Sequence, residues 1–205
     1  MKIINPATEE IIRDVEADTK SSIAKKFQEL KLAQPSWQQV SLVERINVLK
    51  QFSELLKQKT ELLAHTLTNE VGKPLQQSRN EINGAINRIK WLTENANKYL
   101  ADEIMNSEAS LEERISYEPL GVICNISAWN YPYLVGVNVF VPAVMAGNAV
   151  MYKPSECATL TGLEIEKLLK QAGIPENIFH VTIGAKEVGE LLLDIPFDGY
   201  FFTGS

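Results

Sequence analysis

Near residue 115 the hydrophobic pattern of this chain changes period, and no other feature constrains its fold as much. Before that point apolar residues recur at helical spacing; after it, short apolar runs alternate with helical segments. The runs at 121–126, 149–152, 179–183 and 199–202 read as strands, and those at 133–146, 160–171 and 187–193 as helices. Strand–helix–strand repeated three times predicts a parallel sheet with right-handed crossovers, helices covering both faces. Ligands of such sheets sit in the crevice beyond the carboxyl ends of the strands. Three polar segments fall at those ends: Ser127 to Asn130, Lys153 to Glu156, and Thr203 to Ser205.

The first hundred residues predict four helices. Asp18 can cap one running to about Leu32, with Ile23, Phe27 and Leu30 on one face and a break at Gln34-Pro35-Ser36-Trp37. Ser41 and Glu44 form a capping box ahead of Leu42, Ile46, Leu49, Phe52 and Leu56. Thr60 can cap a third helix through Leu63 and Leu67, closed by Gly72 before Pro74. A fourth, over 76–99, aligns Ile82, Ile86, Ile89, Leu92 and Ala96. Residues 111–117 alternate imperfectly, as an edge strand or hairpin arm would.

Composition excludes several classes of function. A net charge of −6 argues against nucleic acid, which needs clustered Lys and Arg to neutralise phosphates. Two cysteines, Cys124 and Cys157, and two distant histidines, His65 and His180, provide neither a disulfide framework nor metal-ligand spacing, so no metal is expected. The apolar stretch 131–147 is interrupted by Pro132, Gly136, Asn138 and Pro142 and is too short to span a bilayer. With no cleavage signal at the start, a cytoplasmic protein without membrane partners is expected.

Taken singly, the polar segments leave their chemistry open. No G-x-G-x-x-G follows any of the strands; Gly184 to Gly189 is either a turn or a helix start facing a pyrophosphate. Lys153 and Glu156 can hold a hydroxyl or phosphate and a ribose diol, or form a solvated ion pair. Asn130 can offer its amide to an oxygen gaining negative charge, or cap the next helix.

Taken together, E-P-L-G-V-I-C-N-I-S-A-W-N-Y-P (118–132), A-G-N-A-V-M-Y-K-P-S-E (146–156) and F-F-T-G-S (201–205) resemble the aldehyde dehydrogenase family in order and spacing. N-P-A-T-E-E (5–10) and E-V-G-K-P (70–74) are compatible, so the resemblance extends over essentially the whole chain. It implies an α/β fold: N-terminal helices (1–100) packed on the cofactor domain, an oligomerisation arm (101–118), and a Rossmann-like, NAD-binding sheet (119–205) incomplete at its C-terminal end. The family's catalytic domain would be absent.

The resemblance also implies roles. The amide of Asn130 would stabilise the oxyanion formed when a cysteine attacks the aldehyde, making it the one catalytic group in this stretch. Lys153, Pro154, Ser155 and Glu156 would form the segment that holds the adenosine ribose, with Trp129 and Asn130 beside the cofactor. Gly204 and Ser205 would lie where the next helix begins against the pyrophosphate. A carboxylate at Glu156 would repel a 2′-phosphate, so NAD is implied rather than NADP. The intact enzyme would be a dimer or tetramer acting on a small-molecule aldehyde substrate. The chain departs from the family at Ala128, where proline is common, and over 184–189.

The family's nucleophilic cysteine and general-base glutamate lie downstream of F-T-G-S, beyond this sequence. Cys124, inside an apolar strand, and Cys157, beside Glu156, are poor substitutes for a thiolate nucleophile. The alternative expectation, should the chain end naturally at Ser205, is a nucleotide-binding or assembly module without catalysis.

Overall fold

The computed structural model describes residues 1–108 and 110–204. A short antiparallel hairpin, β1 (Lys2–Ile4) with β2 (Ile11–Asp14), precedes four helices: α1 (Lys20–Gln38), α2 (Leu42–Gln58), α3 (Thr60–Val71) and α4 (Leu75–Leu100). A second hairpin, β3 (Glu103–Glu108) with β4 (Leu111–Ile115), follows. The alternating half comprises β5 (Val122–Ile126), α5 (Pro132–Met145), β6 (Ala149–Lys153), α6 (Thr159–Gln171), β7 (Phe179–Val181), α7 (Lys186–Leu193) and β8 (Gly199–Phe202).

Its four strands form one parallel sheet in the order β7-β6-β5-β8. The chain advances from β5 through β6 to β7, then crosses back to lay β8 on the far side of β5. Right-handed crossovers therefore put α5 and α6 on one face and α7 on the other. Helix α1 packs along β5, β6 and β7 and also meets α7. One continuous core joins α1–α4 to both faces of the sheet. At its centre Phe140, Tyr152 and Phe179 meet at centroid separations of 5.3–5.7 Å.

Several local expectations are modified by packing. Thr19, not Asp18, caps α1, through a reciprocal pair with Ser22. The helix does not break at Pro35 but runs through to Gln38. Proline inside a helix removes one hydrogen bond and costs about 3 kcal/mol or more. What holds the last turn is tertiary: buried Trp37 donates its indole N–H to the Val144 carbonyl at 2.9 Å, and Gln34 donates to the Gly147 carbonyl at 3.0 Å. The capping box at Ser41 and Glu44 forms as expected. Thr60 does not cap α3, because its hydroxyl is turned back onto the Leu56 carbonyl of α2 at 3.0 Å. Gly72 ends α3 with φ +79°, and a Cβ there would press on Pro6 Cγ at 2.8 Å.

The β3–β4 hairpin leaves Ile104, Met105, Leu111 and Ile115 exposed. Strand β8, at one edge of the sheet, likewise exposes Tyr200, Phe201 and Phe202. Among the described residues no helix is long and apolar enough to cross a membrane.

Candidate functional site

The sheet changes direction at β5 and β8: the connection after β5 leaves toward one face, and β8 is reached from the other. Open parallel sheets bind ligands at such a switch point. A cleft of about 460 Å³ opens there, at the carboxyl ends of β5, β6 and β8. The loop after β5 lines it with Ser127, Ala128 and Trp129, and the loop after β6 with Ser155 and Glu156. Lys153 ends β6 and also faces it; the start of α7 supplies Ala185, Lys186 and Gly189, and the segment after β8 supplies Thr203 and Gly204.

Lys153 is only 4% exposed. Its Nζ donates to the Pro154 carbonyl at 3.3 Å, and no ion pair joins it to Glu156 among the described residues. Burial holds its ammonium below the usual lysine range, with Glu156 pulling the other way. The segment is thus not a solvated Lys–Glu pair: one member is buried in the cleft wall and the other is exposed beside it. Ser155 accepts from the Cys157 amide at 3.3 Å and starts a 3-10 turn over Glu156–Ala158. Pro154 is buried behind the cleft, so close to α6 that a Cβ on Gly162 would meet it at 2.5 Å. Pro154 shapes the loop rather than lining the cleft.

Trp129 stands half out of the protein at the mouth of the cleft, 55% exposed. Asn130 is exposed, one residue past the cleft wall, and does not line it. Nor does Asn130 cap α5: the N-cap is Tyr131, without a side-chain cap bond. Gly204 lines the cleft, and Ser205 lies outside the described residues.

The first amides of α5 are served from another element. Buried Glu81 of α4 accepts from the Tyr133 amide at 2.8 Å and the Leu134 amide at 3.4 Å. Its other oxygen takes the Lys73 ammonium at 2.5 Å. Burial raises the Glu81 pKa above the usual carboxylate range, and the Lys73 pairing opposes that rise. Lys73 also donates to the Asn130 carbonyl at 2.6 Å and lies 3.8 Å over the Tyr131 ring. Three residues earlier, Glu70 accepts from the Leu160 amide, and from the Thr161 amide and hydroxyl at 2.9 Å each. Burial pushes its pKa up to about 7 against those three bonds.

Sequence reading took residues 70–74 for a helix stop and missed these carboxylates and the lysine. The available signal was two ionisable side chains flanking a helix-ending glycine, one of them in register with the apolar stripe of Leu63 and Leu67.

The cleft suits a ligand with hydroxyls and phosphates. It offers a buried ammonium with a single long bond, the exposed Glu156 carboxylate, which accepts from the Ser155 hydroxyl at 3.3 Å, and the first turn of α7, whose amides have no side-chain cap. It offers no thiolate. Burial pushes Cys124 up to about 12, and burial together with Glu156 raises Cys157. Among the described residues no three His, Cys, Asp or Glu side chains are grouped to hold a metal.

Comparison with known proteins gives the site a family context. The family model for aldehyde dehydrogenases matches residues 1–205. Malonate-semialdehyde dehydrogenase 1 of Shouchella clausii is 30% identical over 194 residues, covering 95% of this chain and 40% of that protein. N-succinylglutamate 5-semialdehyde dehydrogenase of Pseudomonas fluorescens is 30% identical over 203 residues, covering 98% of this chain and 41% of that protein. The chain therefore spans about two fifths of the length of these relatives. Glyceraldehyde-3-phosphate dehydrogenase GapN of Methanocaldococcus jannaschii, solved with NADP, superposes with a TM-score of 0.92 at 25% identity, covering 100% of this chain and 46% of that one. The aldehyde dehydrogenase KauB of Pseudomonas aeruginosa superposes at 0.89 with 28% identity, covering 94% and 39% respectively.

Proposed function

The chain belongs to the aldehyde dehydrogenase family, and from that premise we propose that it supplies the cofactor-binding part of an NAD-dependent oxidation of an aldehyde to a carboxylic acid. The observation that carries the reading is the meeting of Lys153, Glu156, Trp129 and Gly204 around one cleft at the switch point of a parallel sheet. Bound there, the nicotinamide would supply the hydride acceptor.

The residues present have separable tasks in this reading. Lys153 and Glu156 hold the adenosine ribose from the end of β6, with Pro154 and Ser155 fixing the turn between them. Trp129 covers the cofactor at the cleft mouth, and the uncapped amides of α7 and the segment from Gly204 face its phosphates. Asn130, its side chain not engaged as a helix cap, donates its amide to the oxygen that becomes negative during attack on the aldehyde. The Glu156 carboxylate supports NAD over NADP by repelling a 2′-phosphate. The exposed apolar side chains of the β3–β4 hairpin support a role as an oligomerisation arm in a dimer or tetramer.

The test is calorimetric titration of the full-length protein with NAD and with NADP, alongside aldehyde turnover. The expected result is tighter binding of NAD, a Glu156→Gln protein that discriminates less, and an Asn130→Ala protein that loses turnover while keeping NAD affinity. Failure to bind either nucleotide would sink the reading; equal loss of affinity and turnover in Asn130→Ala would remove that residue's role.

A further inference from the structure

Resting on the cofactor reading, we propose that the turn at residues 70–74 is a two-armed positioning element, setting the two loops that form the nucleotide cleft. The turn joins α3 to α4 and does not itself supply the strand-end motifs. Its two ionisable side chains nevertheless reach different elements, the start of α6 and the loop after β5. Glu70 takes the amides of Leu160 and Thr161 and the Thr161 hydroxyl, anchoring the first turn of α6 directly behind Lys153 to Glu156. Lys73 takes the Asn130 carbonyl at 2.6 Å and lies over the Tyr131 ring, anchoring the loop that carries Trp129 and Asn130.

Both arms are rigid for physical reasons. Glu70 is 3% exposed and Lys73 9%, so neither can exchange its partners for water without opening the core. Lys73 is held from behind by Glu81, which itself caps α5, the helix that the Asn130 loop enters. Between the arms, Gly72 takes the left-handed conformation with Pro6 of the N-terminal hairpin pressed against it. One turn thus fixes the spacing between the loop after β5 and the loop after β6. Neither arm reaches the cleft itself, so both are positioning residues and touch no reacting atom.

The two arms are separable by experiment in the full-length protein. Lys73→Met combined with Glu81→Gln removes the anchor on Asn130 without stranding a buried charge, and leaves an amide oxygen to cap α5. Glu70→Gln keeps one acceptor but turns a donor toward the amides of α6. Hydrogen exchange read by mass spectrometry, with NAD titrated by calorimetry, gives the readout. The double variant should raise exchange at least tenfold over residues 128–133, leave 157–162 unchanged, and weaken NAD at least threefold, because Trp129 of the loosened loop lines the cleft. Glu70→Gln should instead raise exchange over 157–162 and weaken NAD at least fivefold.

Should the double variant fail to fold, Lys73→Arg reads the same loop while keeping a positive charge beside Glu81. A purely structural role would loosen both loops and the core together, and that outcome overturns the proposal. Failure of NAD to bind the unaltered protein is a different result: it removes the cofactor reading, and the turn's assigned purpose with it.

Discussion

Replacing Glu70 with glutamine should remove a pH dependence from the stability of this protein. Glu70 is 3% exposed, and no cation is within salt-bridge reach among the described residues, so burial penalises its charged form. Its pKa is raised from 4.5 to about 7 in the fold, despite hydrogen bonds from Leu160 and Thr161. A folded value above the unfolded one means the protonated carboxyl is favoured by folding. The contribution is therefore fully present below pH 4.5 and is lost as pH rises through about 7. At ~1.4 kcal/mol for each tenfold difference, the shift sets an upper bound of roughly 3 kcal/mol. Urea unfolding of the wild-type and Glu70→Gln proteins at pH 5 and pH 8 isolates the term, because every other titrating group cancels in the difference. Wild type should lose up to about 3 kcal/mol relative to the variant between those two conditions. A flat difference, or one of opposite slope, would show that the three donors at the start of α6 outweigh burial, and would refute the argument.

Three further outcomes follow from buried groups elsewhere. Lys73→Met alone leaves Glu81 charged and unpaired in the core and should cost about 3–5 kcal/mol in chemical denaturation, with most of it recovered when Glu81→Gln is added; an additive double variant would contradict this. Gly72→Ala should destabilise by at least about 1 kcal/mol, seen as a lowered Tm, because φ is +79° and Pro6 occupies the space a Cβ needs. A chromogenic thiol reagent should label Cys157 in the native protein and Cys124 only after unfolding, since the first is exposed and the second is buried with its pKa pushed up to about 12; native labelling of both would mean that β5 opens.

Much of this was already written in the residue order. The strand–helix alternation after residue 115, the capping box at Ser41 and Glu44, and the glycine stop at Gly72 are local signals, each completed within a few residues of itself. Because a parallel sheet aligns its strand ends, the same alternation also brought Trp129, Lys153, Glu156 and Gly204 to one cleft. What the sequence could not decide depends on partners far along the chain. Pro35 stays helical because Trp37 and Gln34 find carbonyls more than a hundred residues away. Asn130 is not used as a cap because Glu81, 52 residues before Tyr133, already serves the first amides of α5. Residues 70–74 look like an ordinary helix stop until the fold shows α6 against one side chain and the Asn130 loop against the other. Periodicity and capping are encoded by neighbours in sequence, whereas the satisfaction of a buried charge is decided by whatever the finished core sets beside it.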